Sequence, residues 1–149
     1  MNTVFLPSYS VGSDVYNQIP KVCGAYGKTA VVIGGKTAIS KAKDALLAGV
    51  HNSNIEIIDF IWYGGDSTYA NIKKLAQNPQ FQKADMVFAV GGGRAIDTCK
   101  TLCDMENKPV FSFPTIASNC SPVTAVCVIY DDETHGFKEL YFPQKKPIT

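Results

Sequence analysis

The sequence predicts an α/β fold, an open and mostly parallel sheet covered by helices, with a β-hairpin appended after it. Three observations predict it. Short, apolar, β-branched runs at residues 29–33 (TAVVI) and 86–90 (MVFAV) have the length and composition of strands buried on both faces. Each runs straight into glycines and then into a stretch with helical spacing of apolar residues. Strand and helix alternate up to residue 113, after which two apolar segments flank a polar turn.

The elements follow in order. Residues 3–11 form an extended opening that ends at Gly12. Ser13 or Asp14 can cap a short helical stretch, and Pro20 suits a first helical turn, where its missing N–H costs nothing. Gly24 and Gly27 stop that stretch. After the strand at 29–33 and Gly34-Gly35, residues 37–49 read as a helix. Its inner face carries Ile39, Ala42, Leu46 and Leu47, and Gly49 is its stop. Residues 55–60 (IEIIDF) are the second strand, and Gly64-Gly65 form a loop. Asp66 or Ser67 caps a helix through Gln77, with Ile72, Leu75 and Ala76 inward and Asn78-Pro79 as its breaker. The third strand, 86–90, leads through Gly91-Gly92-Gly93 into a helix that ends near Met105. Residues 110–113 are a fourth strand ending at Pro114. Segments 123–130 and 137–142 pair as a hairpin, turned by DDETHG at 131–136.

Composition narrows the classes. A chain of 149 residues suits one domain with a real core, without disulfide or metal staples. Its net charge of +1, with dispersed Lys and Arg, excludes a polyanion-binding stripe, so nucleic acid is not an expected partner. No apolar run approaches the ~18–20 residues of a membrane helix, and the N-terminus lacks the basic-then-apolar pattern of a secretory signal. Five cysteines without paired spacing read as reduced thiols in a cytoplasmic protein. Cys99 and Cys103, four apart on a helix with no histidine near, match no zinc pattern.

Three segments carry chemistry. In 84–102 (ADMVFAVGGGRAIDTCKTL) a buried strand delivers Gly91, Gly92 and Gly93 to a helix N-terminus. Glycine lets backbone N–H groups approach a phosphate, and the positive end of the helix favours the anion. Arg94 adds a permanent cation with a planar donor fork. Asp97, one turn on, can cap the helix or accept from a ligand's ribose or amide. The second segment, 113–130 (FPTIASNCSPVTAVCVIY), starts at a strand's C-terminal end, where open α/β sheets bind ligands. Its small polar side chains, Thr115, Ser118, Asn119, Ser121 and Thr124, could fix a nicotinamide and its ribose. The third, 30–38 (AVVIGGKTA), has Gly35, Lys36 and Thr37 where an acidic residue would accept both adenosine-ribose hydroxyls. Lys36 can instead pair with a 2′-phosphate, which favours NADP(H) over NAD(H). A competing assignment makes Gly34-Gly35 the phosphate loop and Asp59 the ribose ligand, but two glycines fall short of a full GxGxxG.

AVGGGRAIDTCK resembles the GGGxxxDxxK cofactor motif of the iron-containing alcohol dehydrogenases and glycerol dehydrogenases, with Asp97 and Lys100 at its end. PTIASNCSPVTAVCVIYDD resembles the glycerol dehydrogenase segment that follows it. PSYSVG and the VVIGG strand end match in place and order, so the resemblance covers essentially the whole chain. It implies a Rossmann-like NAD(P)-binding domain of the dehydroquinate synthase-like N-terminal type, spanning residues 1–149. The resemblance places Gly92, Gly93 and Arg94 in the pyrophosphate loop, with Asp97 in the cofactor site. Thr115 and Ser118 fall on the adenine or ribose side, and Thr124, Val126 and Tyr130 on the nicotinamide-side wall. Gly35 and Lys36 complete the cofactor set.

Departures from the family pattern refine the expectation. The acidic ribose residue of NAD-using members is absent at Gly35-Lys36. Cys120 stands where the glycerol dehydrogenases carry a substrate-side Asp, and a thiol cannot supply that carboxylate's charge-assisted hydrogen bond to a polyol. Cys at this place is closer to relatives that reduce 2-oxo acids. The family binds iron or zinc through an Asp and histidines of a C-terminal helical domain, and the chain stops before that domain would begin. Its histidines, His51 and His135, lack metal-ligand partners at useful spacing, so no metal or catalytic residue is expected here. The expected function is cofactor binding within a metal-dependent alcohol, polyol or hydroxycarboxylate dehydrogenase that can form homo-oligomers, the isolated chain being inactive. A stand-alone nucleotide-binding module is the alternative. Thiol chemistry at Cys120 is disfavoured because no base is near, and a sugar-phosphate cyclase because no basic cluster is visible.

Overall fold

The computed structural model describes residues 8–145, 147 and 148. Most of the expected extended opening, residues 3–7, lies outside them, and residues 8–11 have no regular structure. A tight helical turn, Val15–Gln18, leads into α1, Ile19–Cys23, with Pro20 in its first turn. Asp14 precedes that turn without capping it through its side chain. Gly24 is the C-cap of α1, and a further tight turn, Gly24–Tyr26, ends at Gly27.

Four parallel strands follow: β1 (Thr29–Gly34), β2 (Glu56–Trp62), β3 (Met86–Gly91) and β4 (Val110–Pro114), in the order β2-β1-β3-β4. The two central strands are the ones whose apolar runs are unbroken, and every residue of β3 is buried. Even-numbered positions such as Ala30, Val32 and Phe88 pack against α1 and α2 (Lys36–Val50) through Ile19, Ala42 and Leu46. Odd-numbered positions such as Val31, Ile33 and Val87 pack against α3 (Tyr69–Ala76), α4 (Pro79–Lys83) and α5 (Gly93–Met105). The period of two sorts the core into two layers. From β1 the chain moves outward to β2, then returns past β1 to β3. Right-handed crossovers therefore put α2 and α5 on opposite faces, and the winding reverses between β1 and β3.

The hairpin pairs β5 (Cys127–Tyr130) with β6 (Phe137–Tyr141). Its turn is held by Asp131, whose Oδ1 accepts from Glu133 N–H at 3.0 Å and Thr134 N–H at 2.9 Å. Of residues 123–126, expected as strand, Val123 ends a tight turn that begins at Ser121, and 124–126 are irregular, the Thr124 and Val126 carbonyls being bound by the buried Lys100. Ile148 forms a parallel bridge with Phe111 on the outer edge of β4.

Three further expectations are corrected. Gly49 lies inside α2, where a Cβ would stand 2.5 Å from the Tyr16 carbonyl oxygen, so it is a contact glycine and not a stop. Leu47 is 41% exposed, since Leu46 takes the inner position and the next residue turns ~100° away. The cap of α3 is Thr68, whose hydroxyl accepts from Asn71 N–H at 3.3 Å, because Asp66 is engaged elsewhere. Asn78-Pro79 does end α3, and it also starts α4: Asn78 Oδ1 accepts from Gln80 and Phe81 N–H groups at 2.9 and 3.1 Å. All five cysteines are free thiols, Cys120 exposed and the others buried.

Candidate functional site

Both central strands end in a glycine turn that starts a helix, and the turns touch across the point where the winding reverses. Gly35 is the N-cap residue of α2 and Gly92 that of α5, and neither contributes a side-chain cap. The first helical bonds run from Ile39 N–H to Gly35 O at 2.9 Å and from Ile96 N–H to Gly92 O at 3.1 Å. The N–H groups before them have no helical acceptor and form two donor clusters at positive helix ends. Between the turns, Gly35 N–H donates to Val90 O at 3.4 Å.

The glycines differ in what surrounds them. A Cβ on Gly34 would lie 2.0 Å from Val90 O, inside the neighbouring strand. Gly91 adopts φ +146, which disfavours any other residue. Cβ atoms on Gly92 and Gly93 would instead meet side chains of the following loop, Ile116 Cδ1 at 3.1 Å and Asn119 Oδ1 at 3.3 Å. Those two glycines thus floor a narrow slot between the α5 N-terminus and residues 115–119.

That loop is tied to the turn by Thr115 N–H, which donates to Gly91 O at 3.1 Å. Asn119 Oδ1 accepts from Ser121 N–H at 3.0 Å. Thr115, Ser118 and Cys120 are exposed, whereas the Thr124 hydroxyl is buried without a hydrogen-bond partner. Thr115 and Asn119 also line a concavity of about 560 Å³ shared with Tyr9, Val11 and Val123. A second cavity, about 670 Å³, lies between residues 10–19 and β4, away from Gly92 and Gly93. The glycine slot is an open edge rather than an enclosed cavity.

Asp97 is placed differently from the ligand-facing acceptor expected of it. It is buried, and both carboxylate oxygens are engaged within the protein: Oδ1 accepts from Ser121 Oγ, and Oδ2 from Val128 N–H at 2.9 Å. Lys100 Nζ lies 3.1 Å from Oδ1. Three residues apart on α5, Arg94 and Asp97 share the helix face turned to the hairpin, and Asp97 lies one turn further along the helix, where Val128 N–H reaches it.

Arg94 projects from the first turn of α5, its guanidinium 4.6 Å from the Tyr130 ring centroid and its Nε 3.5 Å from Asp66 Oδ1. His135 Nδ1 approaches the other Asp66 oxygen at 3.5 Å, and Tyr130 N–H donates to Ser67 O at 2.8 Å. Tyr130 therefore joins the rim through its ring, while Val126 joins the loop through its carbonyl, bound by Lys100 at 2.6 Å. At the other turn, Lys36 is exposed, with its ammonium 4.5 Å over the Trp62 ring. Asp59 sits within β2, three residues before its end, and accepts from its neighbour Phe60 N–H at 2.8 Å. That geometry counts against Asp59 as a ribose ligand.

The fold thus gathers Gly92, Gly93, Arg94, Thr115, Ser118, Thr124, Val126 and Tyr130 around α5, with Gly35 and Lys36 across the reversal point. Asp66 and Trp62 were not foreseen as parts of it, and Lys100, named only as the end of the cofactor motif, was given no role in it. The signal for Lys100 was present: a charged pair three apart on a helix face otherwise filled by Ile96, Cys99 and Cys103 has to be a buried, compensated pair. Among the described residues, no three His, Cys, Asp or Glu side chains converge to hold a metal ion. No helix among them is long and apolar enough to cross a membrane.

The family model described as iron-containing alcohol dehydrogenase matches residues 7–148. The chain is 27% identical over 135 residues to glycerol dehydrogenase of Escherichia coli, covering 91% of this chain and 36% of that protein. It is 34% identical over 114 residues to a glycerol-1-phosphate dehydrogenase, NAD(P)+, of Methanoculleus marisnigri, covering 73% of this chain and 30% of that protein. The crystal structure of an iron-containing alcohol dehydrogenase from Thermotoga maritima superposes with a TM-score of 0.83 at 21% identity. The match covers 98% of this chain and 46% of that one, and it establishes the fold. The chain spans less than half the length of each of these relatives.

Proposed function

Because the chain belongs to the iron-containing alcohol dehydrogenase family, we propose that residues 1–149 are the dinucleotide-binding part of an NAD(P)-dependent dehydrogenase. Its substrates are small alcohols, polyols or hydroxycarboxylates. The observation that carries this reading is the slot at the end of β3. Two glycines leave the α5 N-terminus open, and a polar loop forms the opposite wall. The relative from Methanoculleus marisnigri, named for NAD(P)+, supports the cofactor class.

In this reading the N–H groups at Gly92, Gly93 and Arg94 hold the diphosphate, and the Arg94 guanidinium, already oriented by Asp66 and Tyr130, adds charge. Thr115 and Ser118 serve the adenosine side. Thr124, Val126 and Tyr130 wall the nicotinamide side, where the buried Thr124 hydroxyl lacks a partner. Asp97 supports the site from behind without touching the ligand. Gly35 leaves space beside the adenosine ribose and Lys36 offers a cation there, which favours NADP(H). Cys120, exposed at the loop's tip, faces the substrate side. The bound cofactor supplies hydride exchange at its nicotinamide ring. The donor set of these residues does not fit the metal implied by the family's description, so no step is assigned to one. The isolated chain binds cofactor without turning over an alcohol.

Fluorescence titration of the chain with NADPH and NADH tests this. Saturable binding, tighter for NADPH, is the expected result. A folded chain with no affinity for either overturns the reading.

A further inference from the structure

The Lys100 ammonium is almost completely buried, with 1% of its side chain exposed, yet it belongs to no open site. Three carbonyl oxygens converge on it: Ser121 at 2.9 Å, Thr124 at 3.1 Å and Val126 at 2.6 Å. Asp97 Oδ1 completes the shell at 3.1 Å. An ammonium has three donors arranged about one point, so a loop can wind around it as around a bound cation.

The loop concerned lies outside the strand ladders. Its backbone bonds among the described residues include Thr115 N–H to Gly91 O and Val123 N–H to Cys120 O, and no ladder partner is shown for 124–126. Asp97 anchors both ends of the same stretch, accepting from the Ser121 hydroxyl and, at 2.9 Å, from Val128 N–H. Both side chains stand on α5, the helix whose first residues floor the glycine slot.

We propose that Lys100 is a positioning residue, an internal cationic template that winds residues 121–126 into the wall facing the nicotinamide half of the dinucleotide. The inference rests on the cofactor reading above and adds a device to it. One rigid helix sets the diphosphate grip with its first turn and the shape of the opposite wall with its third. The wall therefore exists before the ligand arrives, and binding does not have to order it. Lys100 touches no ligand. Removing its charge should damage only the half of the site that the loop forms.

The test uses the full chain carrying Lys100→Met, with two ligands that share the adenosine and diphosphate: NADPH and 2′-phospho-ADP-ribose, which lacks nicotinamide. The expected result is NADPH affinity weakened about tenfold or more with the truncated ligand within about twofold of normal. Amide hydrogen exchange without ligand should rise at 115–128 and stay unchanged in β1, β3 and the first turn of α5. Equal weakening of both ligands, weakening of neither, or unchanged exchange at 115–128 overturns the proposal. Should Lys100→Met fail to fold, Asp97→Asn must show the same ligand split at smaller size, and an equal effect on both ligands overturns it. If the unsubstituted chain binds neither ligand, the cofactor reading fails, and the exchange measurement still judges Lys100.

Discussion

The two glycine turns at the ends of β1 and β3 look alike in sequence and answer to different constraints. At the first, Gly34 is glycine because its neighbour strand occupies the space: a side chain there would run into the Val90 carbonyl at 2.0 Å. The residue after it, Gly35, has nothing nearer than Ala38 at 3.9 Å. At the second, Gly92 and Gly93 are pressed only by the loop's side chains, at 3.1 and 3.3 Å. A glycine enforced by backbone contact concerns folding. A glycine at a helix N-terminus that meets only side-chain atoms concerns what can approach from outside. Counting glycines cannot separate the two, whereas the distance to the nearest fixed atom can.

Substitutions can break this distinction. The largest effect is expected for Gly34→Ala, which must displace a backbone carbonyl in the sheet centre and should cost about 3 kcal/mol or more in urea unfolding. A loss below about 1 kcal/mol would erase the contrast between the turns. Gly93→Ala should do the opposite: stability within about 1 kcal/mol, but dinucleotide affinity lowered about tenfold, as one charge-assisted hydrogen bond to the diphosphate is obstructed. Isothermal titration reads the second number.

Gly35→Asp sharpens the comparison from the open side of the first turn. The fold should accept it within about 0.5 kcal/mol, while the added carboxylate repels a 2′-phosphate and shifts preference about tenfold from NADPH towards NADH. An unchanged ratio would remove Gly35 from the ribose site. The smallest effect belongs to Asp85, at the opposite end of the sheet. Its Oδ2 accepts from Lys28 and Thr29 N–H groups at 2.8 and 3.0 Å, bonds that hold the carboxyl below its ordinary range. This contribution is complete above the unfolded carboxyl pKa of about 3.9 and fades as pH falls through the lower folded value. Asp85→Asn should therefore be slightly less stable near neutral pH, converge with the parent in acid, and leave cofactor affinity alone. Paired melts across pH check it.

Periodicity carried the sheet. Apolar runs at β1 and β3 had to be buried on both faces, and the strand–helix alternation admitted few topologies. What escaped was set by partners distant in sequence. Gly49 reads locally as a helix stop, and only the Tyr16 carbonyl packed on it shows otherwise. Asn78-Pro79 reads as a break, yet the same asparagine caps the next helix. Within the site, the glycines and the polar loop were visible as motifs, because close approach to a helix end has a local spelling. The direction of Asp97 was not, since whether a carboxylate faces a ligand or a buried ammonium depends on which loop folds over α5. The Arg94, Asp66 and Tyr130 cluster joins three separate segments, and no spacing rule links them.

The distribution of the thiols has a practical use. Burial pushes Cys23 up to about 12 and Cys127 up to about 11, and lifts Cys99 and Cys103 well above the ordinary range. As thiolates are the reacting species, these four resist alkylation at neutral pH. Cys120 alone stands in solvent, next to the asparagine that roofs the slot. A single maleimide dye can therefore be attached to the native chain without first removing any cysteine. It would report, from the rim, every rearrangement of the wall as ligand concentration is raised.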